Sequence, residues 1–137
     1  MTETPANMTY ARVVSRETVW FTLVIDALNS LEVKCRDLVN TYTTASIEER
    51  FWTTLGPEFR DDAGKRALIV RALYSLKSSG AYFWYHLGCC MQGLGYEPCP
   101  GDLDLWTKAE VRPDDKYEYY SHILCYVYRI MVIRHDS

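Results

Sequence analysis

One acidic residue, Asp37, stands among apolar side chains in a segment that alternates like a β-strand. Residues 32–39 alternate between two sets of side chains, and the acid belongs to the set Val33, Cys35, Asp37 and Val39. A lone aspartate in such a place either caps the turn that follows or does chemistry, and the spacing alone favours the cap. The adjacent acids Asp61 and Asp62 lie in a polar stretch, where a solvated turn is a better interpretation than a metal pair.

Hydrophobic periodicity predicts an α+β fold around this strand. Helices are predicted at residues 10–30 and 73–94, and strands at residues 32–39, 51–55, 67–71, 103–108, 117–127 and 130–134. Strands 51–55 and 67–71 form one hairpin, and the last two strands form another that turns at Tyr128-Arg129. This order of elements predicts a mostly antiparallel sheet with helices packed on one face.

Composition limits the class of protein. A chain of 137 residues that is 48% hydrophobic and 24% charged suits one globular domain, and its net charge of −3 gives no sign of a strong nucleic-acid-binding field. The five cysteines lack Cys-x-x-Cys spacing and are interpreted as reduced thiols. There is no signal-peptide pattern and no apolar run long enough to cross a bilayer. We therefore expect an intracellular protein, in cytoplasm or nucleus, that is not secreted and has no membrane partner.

A series of short motifs runs along nearly the whole chain, from Pro5 to Asp136. In order, they are the lead-in from Pro5, Arg36-Asp37-Leu38-Val39-Asn40-Thr41-Tyr42, Leu55-Gly-Pro-Glu-Phe59 with Gly64-Lys-Arg66, Val70-Arg-Ala-Leu-Tyr-Ser-Leu-Lys-Ser-Ser-Gly80, Leu94-Gly-Tyr-Glu-Pro-Cys99, Asp102-Leu-Asp-Leu-Trp106 and Tyr126-Val127-Tyr128-Arg129. Together and in this register they resemble the reverse transcriptase of copia-type LTR retrotransposons, an RNA-directed DNA polymerase. Each motif is weak by itself, and their shared order carries the resemblance.

The resemblance implies a polymerase palm with a fingers-like hairpin, as one partial domain over residues 1–137 that lacks the thumb and RNase H. It implies a template–primer of RNA or DNA and a deoxynucleoside triphosphate as partners, with Mg²⁺ as the cofactor. Asp37 would be the retained catalytic and metal-binding aspartate, on a strand next to the final hairpin, residues 126–133. Leu38 would bind the triphosphate through its carbonyl, and Tyr42 would lie under the nucleotide sugar, with ordinary packing as its alternative. Lys77 and Ser78 would contact the nucleotide or template.

The chain departs from the family at the two positions that matter most. Tyr128 and Arg129 stand where the family has an adjacent pair of metal-binding aspartates. Three carboxylates would give the family's site a charge of −3, whereas Asp37 with Arg129 gives about zero, and the guanidinium repels metal ions. We therefore expect an inactive polymerase with doubtful Mg²⁺ binding and weak or lost nucleic-acid binding.

A co-opted binding or scaffold protein that keeps the fold is the alternative to an inactive polymerase, and a remnant without function is a third possibility. An exposed aromatic patch around Trp84, Tyr85 and Tyr119 would favour the scaffold.

Overall fold

The computed structural model describes residues 13–74 and 76–135, so the lead-in motif from Pro5 to residue 12 and Asp136 lie outside the described residues. The chain forms two compact units, one made of Asn40–His86 and the other, within the described residues, of 13–39 and 87–135. Neither helix described below has the length and apolarity needed to span a bilayer.

The unit made of Asn40–His86 contains an antiparallel hairpin of strands β2 (Ser46–Thr54) and β3 (Arg66–Arg71). The hairpin confirms the predicted pairing of strands 51–55 and 67–71, with β2 starting five residues earlier than predicted. An irregularity in the register between Ser46 and Phe51 separates this extra stretch from the regular ladder. A short 3-10 segment, Pro57–Asp62, joins the two strands.

The other unit contains a five-stranded antiparallel sheet. Its strands are β1 (Glu32–Asp37), β4 (Glu97–Cys99), β5 (Asp102–Val111), β6 (Glu118–Tyr126) and β7 (Arg129–Arg134), and they lie in the order β1-β7-β6-β5-β4. The sheet confirms the α+β class and the predicted strand and hairpin around Asp37. Strand β4 was not predicted, because its proline reads as a breaker; an edge strand tolerates proline because one side needs no hydrogen-bond donor.

Helix α1 (Arg16–Leu28) covers one face of this sheet. Its start is set by Ser15, whose hydroxyl accepts a hydrogen bond from the Thr18 N–H at 3.2 Å. Helix α1 therefore begins six residues later than predicted, and Val13 instead bridges to Tyr126 of β6. Beneath the helix lies a buried core to which Val19 and Leu23 add contacts; its members are Val14, Leu124 and Ile133.

Helix α2 (Ser79–Gly93) also starts six residues later than predicted. Single turns precede it, in which the Leu76 and Ser79 N–H groups donate to the carbonyls of Leu73 and Leu76, respectively. It ends where predicted, because Gly95 adopts a left-handed φ of 85° and the Tyr96 N–H donates to the Met91 carbonyl.

The end of α2 packs on the opposite face of the sheet from α1. Leu87 and Met91 join a core that contains Ile123 and Cys125 of β6. Successive residues of a strand point to opposite faces, so these two side chains face away from Leu124, which packs under α1. The prediction that the helices pack on one face is therefore wrong. Both faces of β6 are apolar, and a helix packs against each of them.

Candidate functional site

The turn between β6 and β7 consists of Val127 and Tyr128, and Arg129 already belongs to β7. The predicted turn at Tyr128-Arg129 is therefore wrong by one residue. Val127 has a φ of 52°, in the left-handed region that a β-branched side chain rarely adopts. The backbone strain of the hairpin therefore lies at the centre of the Tyr126-Val127-Tyr128-Arg129 motif.

Strand β1 brings Asp37 directly beside this turn. Asp37 pairs with Arg129 at the end of the β1–β7 ladder. The Leu38 N–H then donates to the Tyr128 carbonyl at 2.7 Å, which extends the pairing one step beyond the strand. The expectation that Asp37 lies on a strand next to the final hairpin is confirmed, and Leu38 lies there with it.

An ion pair joins the two facing side chains. The Arg129 Nε donates to Asp37 Oδ1 at 3.1 Å, and the side chains are 65% and 66% exposed, respectively. The Arg129 guanidinium also lies 5.7 Å from the centre of the Tyr128 ring. Asp37 thus accepts a hydrogen bond from Arg129 instead of capping the turn that follows. The opposite charges cancel, so this corner of the site has no net charge of its own.

The two acidic residues of the Asp102-Leu-Asp-Leu-Trp106 motif, Asp102 and Asp104, do not join Asp37 as metal ligands. Asp102 anchors the start of α1, since its Oδ2 accepts the Ser15 N–H at 2.8 Å and its Oδ1 accepts the Asp104 N–H at 3.1 Å. Burial raises the pKa of Asp102, but these hydrogen bonds and one from Thr18 hold it below the usual 3.8. Asp104 is 2% exposed.

Among residues 13–74 and 76–135, no group of three or more His, Cys, Asp or Glu side chains is placed to hold a metal ion. A carboxylate that is ion-paired to a guanidinium does not fit the carboxylate set that two Mg²⁺ ions require.

The remaining predicted site residues, Tyr42, Lys77 and Ser78, belong to the unit of Asn40–His86. The Tyr42 ring packs with its centre 4.8 Å from that of Tyr74 and 5.8 Å from that of Phe83. Ser78 is 6% exposed, and its hydroxyl donates to Glu49 Oε2 at 2.7 Å. Lys77 is exposed on the turn before α2. The structure thus brings four predicted site residues together, namely Asp37, Leu38, Tyr128 and Arg129. Tyr42, Lys77 and Ser78 belong to the other unit.

The aromatic patch that would favour a scaffold does not include Tyr119, which is 8% exposed and donates its hydroxyl to Glu110 Oε2 at 2.8 Å. Tyr85 is 48% exposed, and Trp84 is half-buried. The largest exposed apolar side chains of α1 instead follow one side of that helix; they are Trp20, Phe21, Val24 and Leu28. Trp20, Val24 and Leu28 recur at the four-residue spacing that is typical of a buried helix face, but periodicity alone does not say which side of an apolar helix is covered.

Sequence reasoning also missed a cavity of about 740 Å³ beside the ion pair. Strands β1, β6 and β7 and the start of α1 provide its walls, and Asp37 and Arg129 line it. Two further arginines, Arg16 and Arg36, line it as well. Arg36 pairs with Ile130, which packs on the opposite face of the sheet, so the Arg36 side chain projects away from Asp37 and Arg129. Nothing in the sequence brings Arg16 to this place.

No family model, no curated protein and no solved structure matches this chain. The function is therefore inferred from the sequence motifs and from the residues that the fold brings together.

Proposed function

We propose that this chain is a reverse-transcriptase domain fragment of a copia-type retrotransposon polyprotein, and that it has lost polymerase activity. One observation carries the proposal: Asp37 and Arg129 face each other across the β1–β7 ladder and form an ion pair. The motif order requires these two positions to be neighbours. In the fold they are neighbours at the end of the β1–β7 ladder.

The chemistry of phosphodiester synthesis explains why this ion pair is a lesion. Two divalent cations clamp the attacking and leaving oxygens, and hard carboxylate oxygens hold the cations. In this chain the carboxylate of Asp37 has a guanidinium as its cationic partner. Tyr128 contributes a phenol, which does not replace a carboxylate ligand, at the other lost position. The side chains in place therefore neutralise the remaining ligand instead of completing a set of three.

Nucleic-acid binding in this proposal is weak and salt-sensitive. The chain carries a net charge of −3, so its average field repels a phosphate backbone. The hydroxyl of Ser78 and the ring of Tyr42, which the resemblance assigns to nucleotide binding, already have partners within the fold. Fluorescence anisotropy with a labelled primer–template duplex measures this directly. Tight binding at physiological salt would contradict it.

Primer extension tests the lesion. Residues 5–136 are grafted in place of the matching segment of an active copia-type reverse transcriptase, which supplies the remaining domains. We expect no extension by the graft with Mg²⁺ or Mn²⁺, and no recovery with Arg129→Asp alone, because Tyr128 still leaves one ligand missing. The double change Tyr128→Asp with Arg129→Asp restores all three carboxylates and is the variant expected to recover extension.

The control for this experiment is the same graft with Asp37→Ala. Extension by the unrestored graft above this control would show that Tyr128 and Arg129 are not a disabling lesion, and the proposal would be dropped. Failure of the doubly restored graft, when the graft remains folded by circular dichroism, would show that the resemblance does not extend to a working palm.

A non-enzymatic binding or scaffold protein is the second candidate function, and the exposed side of α1 favours it. Trp20, Phe21, Val24 and Leu28 are 62%, 70%, 58% and 80% exposed, respectively. A helix that is apolar on both sides is normally covered on both. Sedimentation velocity of the chain and of a Phe21→Ser, Leu28→Ser variant tests this role. We expect concentration-dependent association only for the unsubstituted chain, and equal behaviour of both chains would remove the support for this candidate.

A further inference from the structure

We infer that the cavity beside Asp37 and Arg129 binds an organic anion that has an apolar body and one phosphate-like dianionic group. The inference rests on the shape and charge of the cavity and holds whether or not the chain descends from a polymerase. The ligand is an anion, opposite in charge to the metal cations that three carboxylates would hold.

The apolar part of the cavity comes from side chains on both sides of the α1–sheet interface. Val14 and Val19 approach from the chain entering α1 and from α1 itself, and Leu124 and Met131 approach from β6 and β7. Val14 and Leu124 are 7% and 2% exposed, so the apolar wall continues into the core. A volume of about 740 Å³ suits a small organic molecule. The apolar wall therefore favours an aromatic or aliphatic body over a polar sugar.

The charged part of the cavity is basic. The guanidinium groups of Arg16 and Arg129 line it together with the carboxylate of Asp37, which leaves a net charge of +1. The side chain of Arg36, whose strand partner Ile130 packs against the other core, projects from the opposite face of the sheet. The whole chain has the opposite sign, with a net charge of −3. Arginine is the side chain best suited to hold phosphate or carboxylate oxygens, because its planar fork donates two parallel hydrogen bonds.

Both arginines have donors available to a ligand. Within residues 13–74 and 76–135, Arg16 forms no ion pair and no side-chain hydrogen bond, and it is exposed. Arg129 donates its Nε to Asp37, which uses one of its five N–H donors. The anion is therefore expected to sit at the basic rim, with its apolar body against Leu124 and Met131.

Isothermal titration calorimetry with 1-naphthyl phosphate tests the inference in the intact chain. Inorganic phosphate and 1-naphthol serve as probes of the charge alone and of the apolar body alone. Because both parts of the cavity are engaged at once, we expect 1-naphthyl phosphate to bind at least about tenfold more tightly than either component. Equal affinity for 1-naphthol would mean a non-specific apolar cleft, and equal affinity for inorganic phosphate would mean that the apolar wall takes no part. Either result, or no binding at millimolar ligand, would overturn the inference.

Substitutions locate the binding site. Arg16→Gln removes one charge-assisted contact and is expected to weaken binding about three- to tenfold. Asp37→Asn removes the one negative charge of the cavity and is expected to strengthen binding about two- to fivefold. The matched control is Arg134→Gln, which changes an arginine that lies on the same strand as Arg129, is exposed and does not line the cavity. An unchanged affinity in Arg16→Gln, or an equal loss in the control, would place the anion elsewhere.

Cysteine alkylation gives a second measurement that does not depend on affinity. Cys35 lines the cavity, and both it and Cys89 are exposed free thiols. We expect saturating 1-naphthyl phosphate to slow alkylation of Cys35 by iodoacetamide, while Cys89 reacts at an unchanged rate, as followed by peptide mass spectrometry. Unprotected Cys35 under saturating ligand would show that the ligand does not occupy this cavity.

Discussion

Two aspartates in the unit that contains the five-stranded sheet each pair with a basic side chain, and one pair is buried while the other is exposed. Asp26 of α1 and His122 of β6 are 1% and 12% exposed at the side chain, with 2.8 Å between Oδ1 and Nδ1. Asp37 of β1 and Arg129 of β7 are 66% and 65% exposed, with 3.1 Å between Oδ1 and Nε. By strand alternation, His122 and Arg129 project from the sheet face that α1 covers.

The difference shows which pair the fold depends on. The second oxygen of Asp26, Oδ2, is buried and has no hydrogen-bond partner among the described side and main chains, so its partner His122 cannot be lost cheaply. The exposed pair is screened by water and salt and contributes little to stability. Asp37 and Arg129 can therefore be replaced without unfolding the chain.

The largest expected effect comes from breaking the buried pair. His122→Ala leaves the Asp26 carboxylate buried without a partner, and we expect it to lower the free energy of unfolding by about 3 kcal/mol. Urea denaturation followed by circular dichroism measures the loss. The matched control replaces both members with leucine, since removing both hydrogen-bond partners is expected to cost far less than removing one. A loss below about 1 kcal/mol for His122→Ala would mean that the two pairs do not differ as described.

A carboxylate of intermediate burial should give an intermediate effect. Asp102→Asn weakens the hydrogen bonds to the start of α1, and we expect a loss of about 1–2 kcal/mol at neutral pH. Because the folded pKa of Asp102 lies below 3.8, its contribution is fully present above that pH and disappears as the pH falls through the folded pKa. The stability difference between the two chains should therefore shrink in acid. A difference that grows on acidification would have the wrong sign.

The smallest expected effect belongs to the exposed pair. Arg129→Ala is expected to lower the free energy of unfolding by less than about 1 kcal/mol, because both side chains are about two-thirds exposed. A double-mutant cycle with Asp37→Ala isolates the interaction between the two side chains, and its coupling energy should fall in the same range. Coupling as large as that expected for the buried pair would remove the distinction on which the comparison rests.

The sequence predicted the parts of the fold that follow from local pattern. Alternation located β1, and paired apolar runs located the hairpins. The motif order and the family resemblance together placed Asp37 beside the final hairpin. The turn was misplaced by one residue because Val127 adopts a positive φ that its side chain does not favour.

Features that depend on packing between distant segments were not predictable. The helices lie on opposite faces of the sheet, and an apolar pattern shows that a helix is buried but not against which face. Arg16 lines the same cavity as Arg129 only because the start of α1 packs against this face of the sheet. The Asp26–His122 pair joins residues 96 positions apart, and neither residue belongs to a recognisable motif.

The most direct test of the central claim is a titration with Mn²⁺, followed by electron paramagnetic resonance. If the Asp37–Arg129 ion pair stands where carboxylates would hold metal ions, the unsubstituted chain has no Mn²⁺ site that depends on Asp37. The double change Tyr128→Asp with Arg129→Asp should create such a site, and a further Asp37→Ala should abolish it. Stoichiometric Mn²⁺ binding by the unsubstituted chain that is lost on Asp37→Ala would contradict the account.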